Sequence, residues 1–461
     1  MTITHRAVLH RGSLAGRTTH GGGSLLLRLQ LFSLLGLPGY LVLAPVGASG
    51  SVPQLLALAL TALWLVSAVL GRFNAWDSRH PGRVGLMCWV VVSCLSYAVM
   101  FAGLSGATDA VGRASADRWL LLIFAGMGLT LSVTQVLTSK EDVRRAVGWL
   151  LTGSSVCCVV AVIQFTTVSN PLDWFEPFLV GFENDGSATV FQPRGDFFRV
   201  AGTTMHPIEL GVVCSMLLPL SVWWGLYSSV ISPWLRWSPA ALLLAGNVVT
   251  VSRSAILGLT VTAMVMIPHL PTVARRWSLI IAPSVLVLLF LAVPGMLSTL
   301  TGAATAGNSD PSISTRTDDY PLAWEMLVQR PILGHGPGTW IPDNVFDIFD
   351  NQYLLSAVTM GTAGVVAFLV YLLVPAATSL LAAKHAHDPE LRLLAGSVAA
   401  AMFVAAVSAG TFDAMSFSTY ALLTPLFVGL GGTAWLLVKR QNTPPPGPIA
   451  ARAFSTPTTQ R

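Results

Sequence analysis

The chain has 461 residues, 53% of them hydrophobic and only 10% charged, with a mean hydropathy of +0.67. A soluble domain of this length needs far less apolar surface, so lipid is its expected solvent. A net charge of +5 does not point to nucleic acid, because the basic residues lie in short clusters between long apolar runs and form no binding stripe.

The first 24 residues carry Arg6, Arg11 and Arg17, and no small-residue cleavage site follows a short apolar core; they read as a cytoplasmic tail, not a cleaved signal. Taking about 20 residues per span, the apolar runs predict membrane helices over 25–46, 53–71, 84–104, 118–138, 146–168 and 207–228. A second series follows over 235–251, 253–268, 277–298, 352–375, 393–411 and 416–438. The expected fold is therefore all-α: a polytopic bundle of about twelve transmembrane helices across 25–438, with a partly helical large external loop. The tail from 439, with Pro444, Pro445 and Pro446, holds too little apolar content to fold and is expected to be cytoplasmic and disordered. Cys88, Cys94, Cys157, Cys158 and Cys214 all fall inside apolar runs with no metal-site spacing and read as packing residues.

Charge orients this frame. With both tails inside, nineteen of the 26 Lys and Arg residues fall on the cytoplasmic side and sixteen of the 21 Asp and Glu residues fall outside. Shifting the frame by one helix would invert that asymmetry, so the positive-inside rule favours a multi-pass protein of the cytoplasmic membrane with both termini cytoplasmic.

Two long polar segments, 169–206 and 299–351, then face outward. Within the second, DDYPLAWEMLVQ places Ala323, Trp324, Leu327 and Val328 on one helical face, which predicts an amphipathic helix on the membrane surface or over a cavity mouth. Arg330-Pro331 and the turn Gly334-His335-Gly336-Pro337-Gly338 must stop it, and the Gly/Ser-rich stretch 302–314 is the expected hinge if the segment moves.

Seven basic residues face outward against the charge rule: Arg113, Arg118, Arg194, Arg199, Arg253, Arg316 and Arg330. Arg253, in VVTVSRSAILGLTV, lies between two apolar runs joined by almost no loop, so its guanidinium sits at or near bilayer depth. A charge there faces a polar cavity, snorkels to the headgroups, or pairs with an acid. Arg199 precedes VAGTT, after which His206-Pro207 opens a span containing Glu209, and the glycine and proline let the backbone approach something closely. Two arginines converging on an outer cavity would suit a diphosphate, whose oxygens accept the planar guanidinium fork; a structural salt bridge from Arg199 to Asp196 or Glu209 is the alternative. His206, just before a span, reads as a capped, hydrogen-bonded residue ahead of a catalyst.

RVAGTTMHP at 199–207, VSRS at 251–254, and the run from STRTDDYPLAWEMLVQRPILGHGPG to DNQYLLSAVTMGTAGVVAFL together resemble the O-antigen ligases and polymerases of bacterial surface polysaccharide assembly. The resemblance spans roughly residues 195–370. It implies a glycosyltransferase that moves a glycan from a polyprenyl-diphosphate-linked donor to a glycan or lipid acceptor hydroxyl outside the cytoplasm, by a single inverting displacement and without metal or other cofactor. It also implies that Arg199 and Arg253 hold the diphosphate and that Arg316 and Arg330 are the arginines of the large external loop. The sequence departs from the family pattern where a histidine opens the span after that loop: here stands Asp350-Asn351-Gln352. Asp350 is the candidate base as well as a candidate N-cap, and His335 is the second candidate.

A multi-span transporter or a flippase of the same lipid-linked glycans is the rival reading, and a catalytically silent scaffold a third. Against a carrier stand the absence of an evident internal repeat and the scarcity of ionisable residues within the spans.

Overall fold

The computed structural model describes residues 22–72, 78–106, 108–174, 178, 180–194, 197–230, 232–292, 311–342 and 348–443. The expected tails 1–24 and 439–461 and the proposed hinge lie largely outside these residues. Among these residues thirteen helices build an all-α bundle: α1 (Gly22–Gly36), α2 (Val52–Val69), α3 (Gly82–Phe101), α4 (Ala110–Val136), α5 (Lys140–Thr167), α6 (Pro207–Tyr227), α7 (Pro233–Val249), α8 (Arg253–Met266), α9 (Thr272–Ala292), α10 (Pro311–Gln329), α11 (Gln352–His385), α12 (Pro389–Ser408) and α13 (Ser418–Asn442). Among the described residues, eight of them are long and apolar enough to cross a membrane: α2 to α6 and α11 to α13. The protein is a multi-pass membrane protein.

Each of the twelve expected spans meets a helix, with one clear correction. The run 25–46 is not one span. Its helix stops at Gly36, ahead of Leu37-Pro38-Gly39, and the chain continues as strand β1 (Leu41–Leu43), antiparallel to β2 (Phe182–Asn184). Pro38 supplies no backbone donor and disfavours the helical conformation in the residue before it, and with Gly36 and Gly39 on either side the helix ends here. A hairpin of β3 (Phe191–Arg194) with β4 (Phe197–Val200) lies in the segment 169–206.

Close approach of helices is set by small residues, as expected where lipid gives no hydrophobic drive between them. A Cβ at Gly153 of α5 would meet the Phe32 carbonyl of α1, and one at Gly128 of α4 would strike Thr61 of α2. α12 and α13 run through the centre, α12 touching α6, α8, α11 and α13. The two ends of the bundle differ. At one, Lys140 lies 2.6 Å from Asp388 and 3.0 Å from Glu390, Arg144 lies 2.7 Å from Glu390, and Arg440 donates to the Thr138 carbonyl. At the other gather the described parts of the connections 37–51, 102–109, 168–206, 250–252, 330–351 and 409–417. We call these the ion-pair end and the loop end.

α11 is interrupted at Gly361 (φ 67°, ψ −165°). The break frees backbone groups that hydrocarbon would leave unsatisfied, and the turn after α10 supplies their partners. The amides of His335 and Gly336 donate to the carbonyls of Val358 and Thr359, while the amides of Thr362 and Ala363 donate to Pro331 and Ile332. Ser96 Oγ donates to the Leu333 carbonyl at 2.7 Å, pinning the turn to α3. A Cβ at Gly361 would lie 2.4 Å from the Ile332 carbonyl. Gly361→Ala is therefore expected to expel the 331–336 segment, read as loss of amide protection there in hydrogen exchange, with the α12–α13 core unchanged.

α10 forms where expected, and of its expected apolar face Ala323 is buried and Leu327 half-buried. Ala323 packs with Phe349 and Val358, flanked by Leu322 and Met326, whereas Trp324 and Val328 remain exposed. The small alanine permits close packing against α11, and the large apolar groups are left for the membrane surface.

Candidate functional site

At the loop end, α6, α7 and α8 are locked by a polar knot. Asn247 Nδ2 donates to the Gly211 carbonyl and to Ser215 Oγ, and Thr262 Oγ1 donates to the Ser215 carbonyl. The α7–α8 connection is only Thr250, Val251 and Ser252, with β-branched Val251 at φ 45°. Such a residue in the left-handed region is strained and persists only where the surroundings over-determine it. The turn delivers Arg253, half-buried, to the first position of α8. A cation at the positive end of a helix dipole is locally unfavourable, while the same dipole and guanidinium together favour an anion.

The residue that follows Arg253 meets the α12–α13 connection. Ser254 Oγ donates to Thr411 Oγ1 at 3.0 Å, two residues before Asp413. The Asp413 carboxyl is mostly buried and bonded to Ser416, and Asp350 and Glu209 lie close enough to repel its charge. Burial first, then these two carboxylates, push Asp413 up to about 7. Asp350 is exposed. It is not the cap of α11: Asn351 fills that position, its Oδ1 accepting from the amides of Tyr353 and Leu354. Gln352, the next residue, is fully buried and ties α11 to the same connection, its amide donating to Ala409 and Phe412 and its Oε1 accepting from Met415.

Glu209 is a strut. Its carboxylate accepts the Met205 amide at 2.8 Å and the Thr419 and Tyr420 amides at 2.9 and 3.0 Å, capping the start of α13 from α6. His206 is the N-cap of α6, Nδ1 accepting the Ile208 amide at 3.1 Å, with its ring against Phe417. Burial and the neighbouring Arg199 guanidinium push it down to about 4, so it is neutral at pH 7. Arg199, on β4, donates to Gln192 Oε1 across the hairpin.

The structure thus sets Arg199 beside His206 and brings Asp350 and Glu209 near Asp413, while Arg253 stands next to Ser254, which bonds Thr411 of the same connection. It places the other candidates on different elements. Arg330 donates to the Leu104 carbonyl in the α3–α4 connection at 2.8 Å, and His335 sits in the turn docked on α11, Nδ1 lying 3.2 Å from the Val358 carbonyl. The Arg316 side chain lies outside the described residues. At the loop end opens a cavity of about 420 Å³ lined by Arg118, Trp119, Trp340, Met415, Ser416 and Ser418, among others; Arg199 and Arg253 are not among its lining residues. Among the described residues, no group of three or more His, Cys, Asp or Glu side chains is placed to hold a metal ion.

Asp413 was not singled out from the sequence. In AGTFDAMSFS it belongs to no spacing pattern. The available signal was its place, as a lone carboxylate between two apolar spans on the same side as Asp350.

Residues 239–369 match the family model described as O-Antigen ligase, which supports the family that the sequence motifs resemble. The matched stretch contains Arg253, Arg316, Arg330, His335 and Asp350; Arg199, His206, Glu209 and Asp413 lie outside it. No curated protein matches the chain.

Proposed function

We propose that this chain, a multi-pass membrane protein with an O-antigen ligase match across α7 to α11, transfers or polymerises glycan from a polyprenyl-diphosphate-linked donor on the outer face of the cytoplasmic membrane. The observation that carries this reading is the meeting of guanidinium and carboxylate groups at one end of the bundle. Arg199 lies beside His206, Asp350 and Glu209 lie near Asp413, and the residue after Arg253 bonds the same connection, beside a cavity with polar and aromatic walls. The excess of basic residues at the ion-pair end supports reading that end as cytoplasmic.

The reaction follows from these groups. An acceptor hydroxyl attacks the anomeric carbon, the bond from that carbon to the diphosphate oxygen breaks, and its electron pair leaves with the lipid diphosphate. Arg199 and Arg253 stabilise the charge that builds on the leaving oxygens, and the carboxylate pair takes the hydroxyl proton. A single displacement inverts the anomeric centre, and the arginines supply the charge stabilisation without a metal. Arg316 and Arg330, on α10 and just after it, belong to the external segment that covers the donor, and His335 is the second candidate base.

Purified protein in liposomes carrying a lipid-linked oligosaccharide tests the proposal. Longer glycans on the same lipid establish a polymerase, and glycan on an added acceptor establishes a ligase. Movement of the donor across the bilayer with no new bond would replace the enzyme reading with a flippase.

A further inference from the structure

The ion-pair end carries a second, separate feature. Between α2, α3, α4 and α13 lies a groove of about 1050 Å³, at the upper end of small-molecule sites in size. Its walls are apolar, with Met87, Val91, Met127 and Leu131 among them. Met87 and Val91, and Val84 beside them, expose about half of their surface, so the groove opens sideways to where hydrocarbon lies. Its mouth is basic: Arg79, Arg83 and Lys439 line it, and no carboxylate does among the described residues. Segment 72–83 as a whole carries Arg72, Arg79 and Arg83 against the single acid Asp77.

Two aromatic residues, Trp64 and Trp435, border the groove, as indoles do at membrane interfaces. His80 also lines it. The ring is buried against Gly82 and Gly432, and its Nε2 has no hydrogen-bond partner among the described residues. Burial and the neighbouring Arg83 hold this histidine at about 3, so it adds polarity without charge. A neutral lipid would use the walls and waste the mouth. A soluble anion would use the mouth and leave the walls bare. The combination fits a molecule with a phosphate head and acyl chains.

We propose that this groove binds one anionic glycerophospholipid of the surrounding leaflet, its phosphate held by Arg79, Arg83 and Lys439 and an acyl chain laid along Met87, Val91, Met127 and Leu131. The site is distinct from the group at the loop end and does not depend on the glycosyl-transfer reading. Juxtamembrane cations contribute enough to anionic lipid binding that losing one weakens it about fivefold.

Full-length protein, purified in neutral detergent and stripped of lipid, is titrated with phosphatidylglycerol, with phosphatidylcholine of the same chains, or with a polyprenyl monophosphate, and lipid adducts are counted by native mass spectrometry. One phosphatidylglycerol is expected to be retained per chain and to raise the unfolding midpoint above that in phosphatidylcholine. Arg79→Ala and Lys439→Ala, both at exposed positions, are each expected to weaken retention about fivefold, while Arg145→Ala, an ion-paired cation at the same end that does not line the groove, leaves it unchanged. Equal retention of phosphatidylcholine, or unaltered retention in both groove variants, would overturn the proposal. So would displacement of phosphatidylglycerol by an equal amount of polyprenyl phosphate, which would assign the groove to the isoprenoid carrier. The wild-type lipid comparison decides the matter even if a variant fails to fold.

Discussion

Arg253→Ala is expected to lower glycan transfer by about 10²- to 10³-fold, the loss that follows removal of one fixed charge stabiliser from a transition state, while leaving the protein inserted and its unfolding midpoint close to that of the parent. The expectation comes from how the residue is held. A three-residue turn with Val251 in the left-handed region delivers Arg253 to the positive end of α8, where a cation opposes the helix dipole by about 0.3–1 kcal/mol. A bound anion would offset that opposition, which is the role the proposal gives the residue. Lysine keeps the charge but loses the planar two-pronged donor, and is expected to recover only a small part of the rate. Transfer from a synthetic lipid-linked donor, measured beside thermal unfolding, separates the possibilities. Near-parental transfer by the alanine variant removes Arg253 from the diphosphate site, and a collapsed unfolding midpoint makes it a structural residue.

The bundle was legible because lipid imposes one rule on every span, about twenty apolar residues in a helix. Runs such as 207–228 and 393–411 satisfy it without competing signals, and the charge asymmetry sorted their connections into the two sets that gather at opposite ends. Where a run contained a local instruction against helix, the apolar length hid it. Leu37-Pro38-Gly39 ends α1 although the residues beyond are as apolar as those before, and only the pairing of Leu41–Leu43 with 182–184 accounts for the strand that replaces it. Gly361 was harder still. A glycine in an apolar run reads as a packing residue, and its role as a break depends on a partner, the 331–336 turn, whose arrival is a tertiary event. The arginines stood out because charge is expensive beside apolar runs. Asp413 did not, since a carboxylate in a short connection is ordinary until Asp350 and Glu209, distant in sequence, are folded around it.

Asp413 also permits a test in which stability and activity move in opposite directions. Its ordinary value is 3.8, and in the folded protein burial and two neighbouring carboxylates raise it to about 7. A carboxyl raised on folding costs stability once the unfolded chain ionises. The penalty is absent below about pH 4, grows between about 4 and 7, and is constant above, amounting to up to about 4 kcal/mol. Asp413→Asn, which keeps an oxygen for Ser416, is therefore expected to unfold at a higher temperature than the parent at pH 8 and at the same temperature near pH 3.5. As a base the carboxylate must be ionised, so parental transfer is expected to climb through about pH 7. The asparagine variant should lose about 10²- to 10⁴-fold and the pH limb with it. Asp350 then distinguishes the two members of the pair. If Asp413 takes the proton, Asp350→Asn removes a negative neighbour and moves the limb to lower pH with the plateau retained. If Asp350 is itself the base, the same variant loses the plateau at every pH, Asp350→His recovers part of it, and Asp413→Asn only displaces the limb. An unshifted, full-rate profile in both asparagine variants would exclude the carboxylate pair from proton transfer and direct attention to His335.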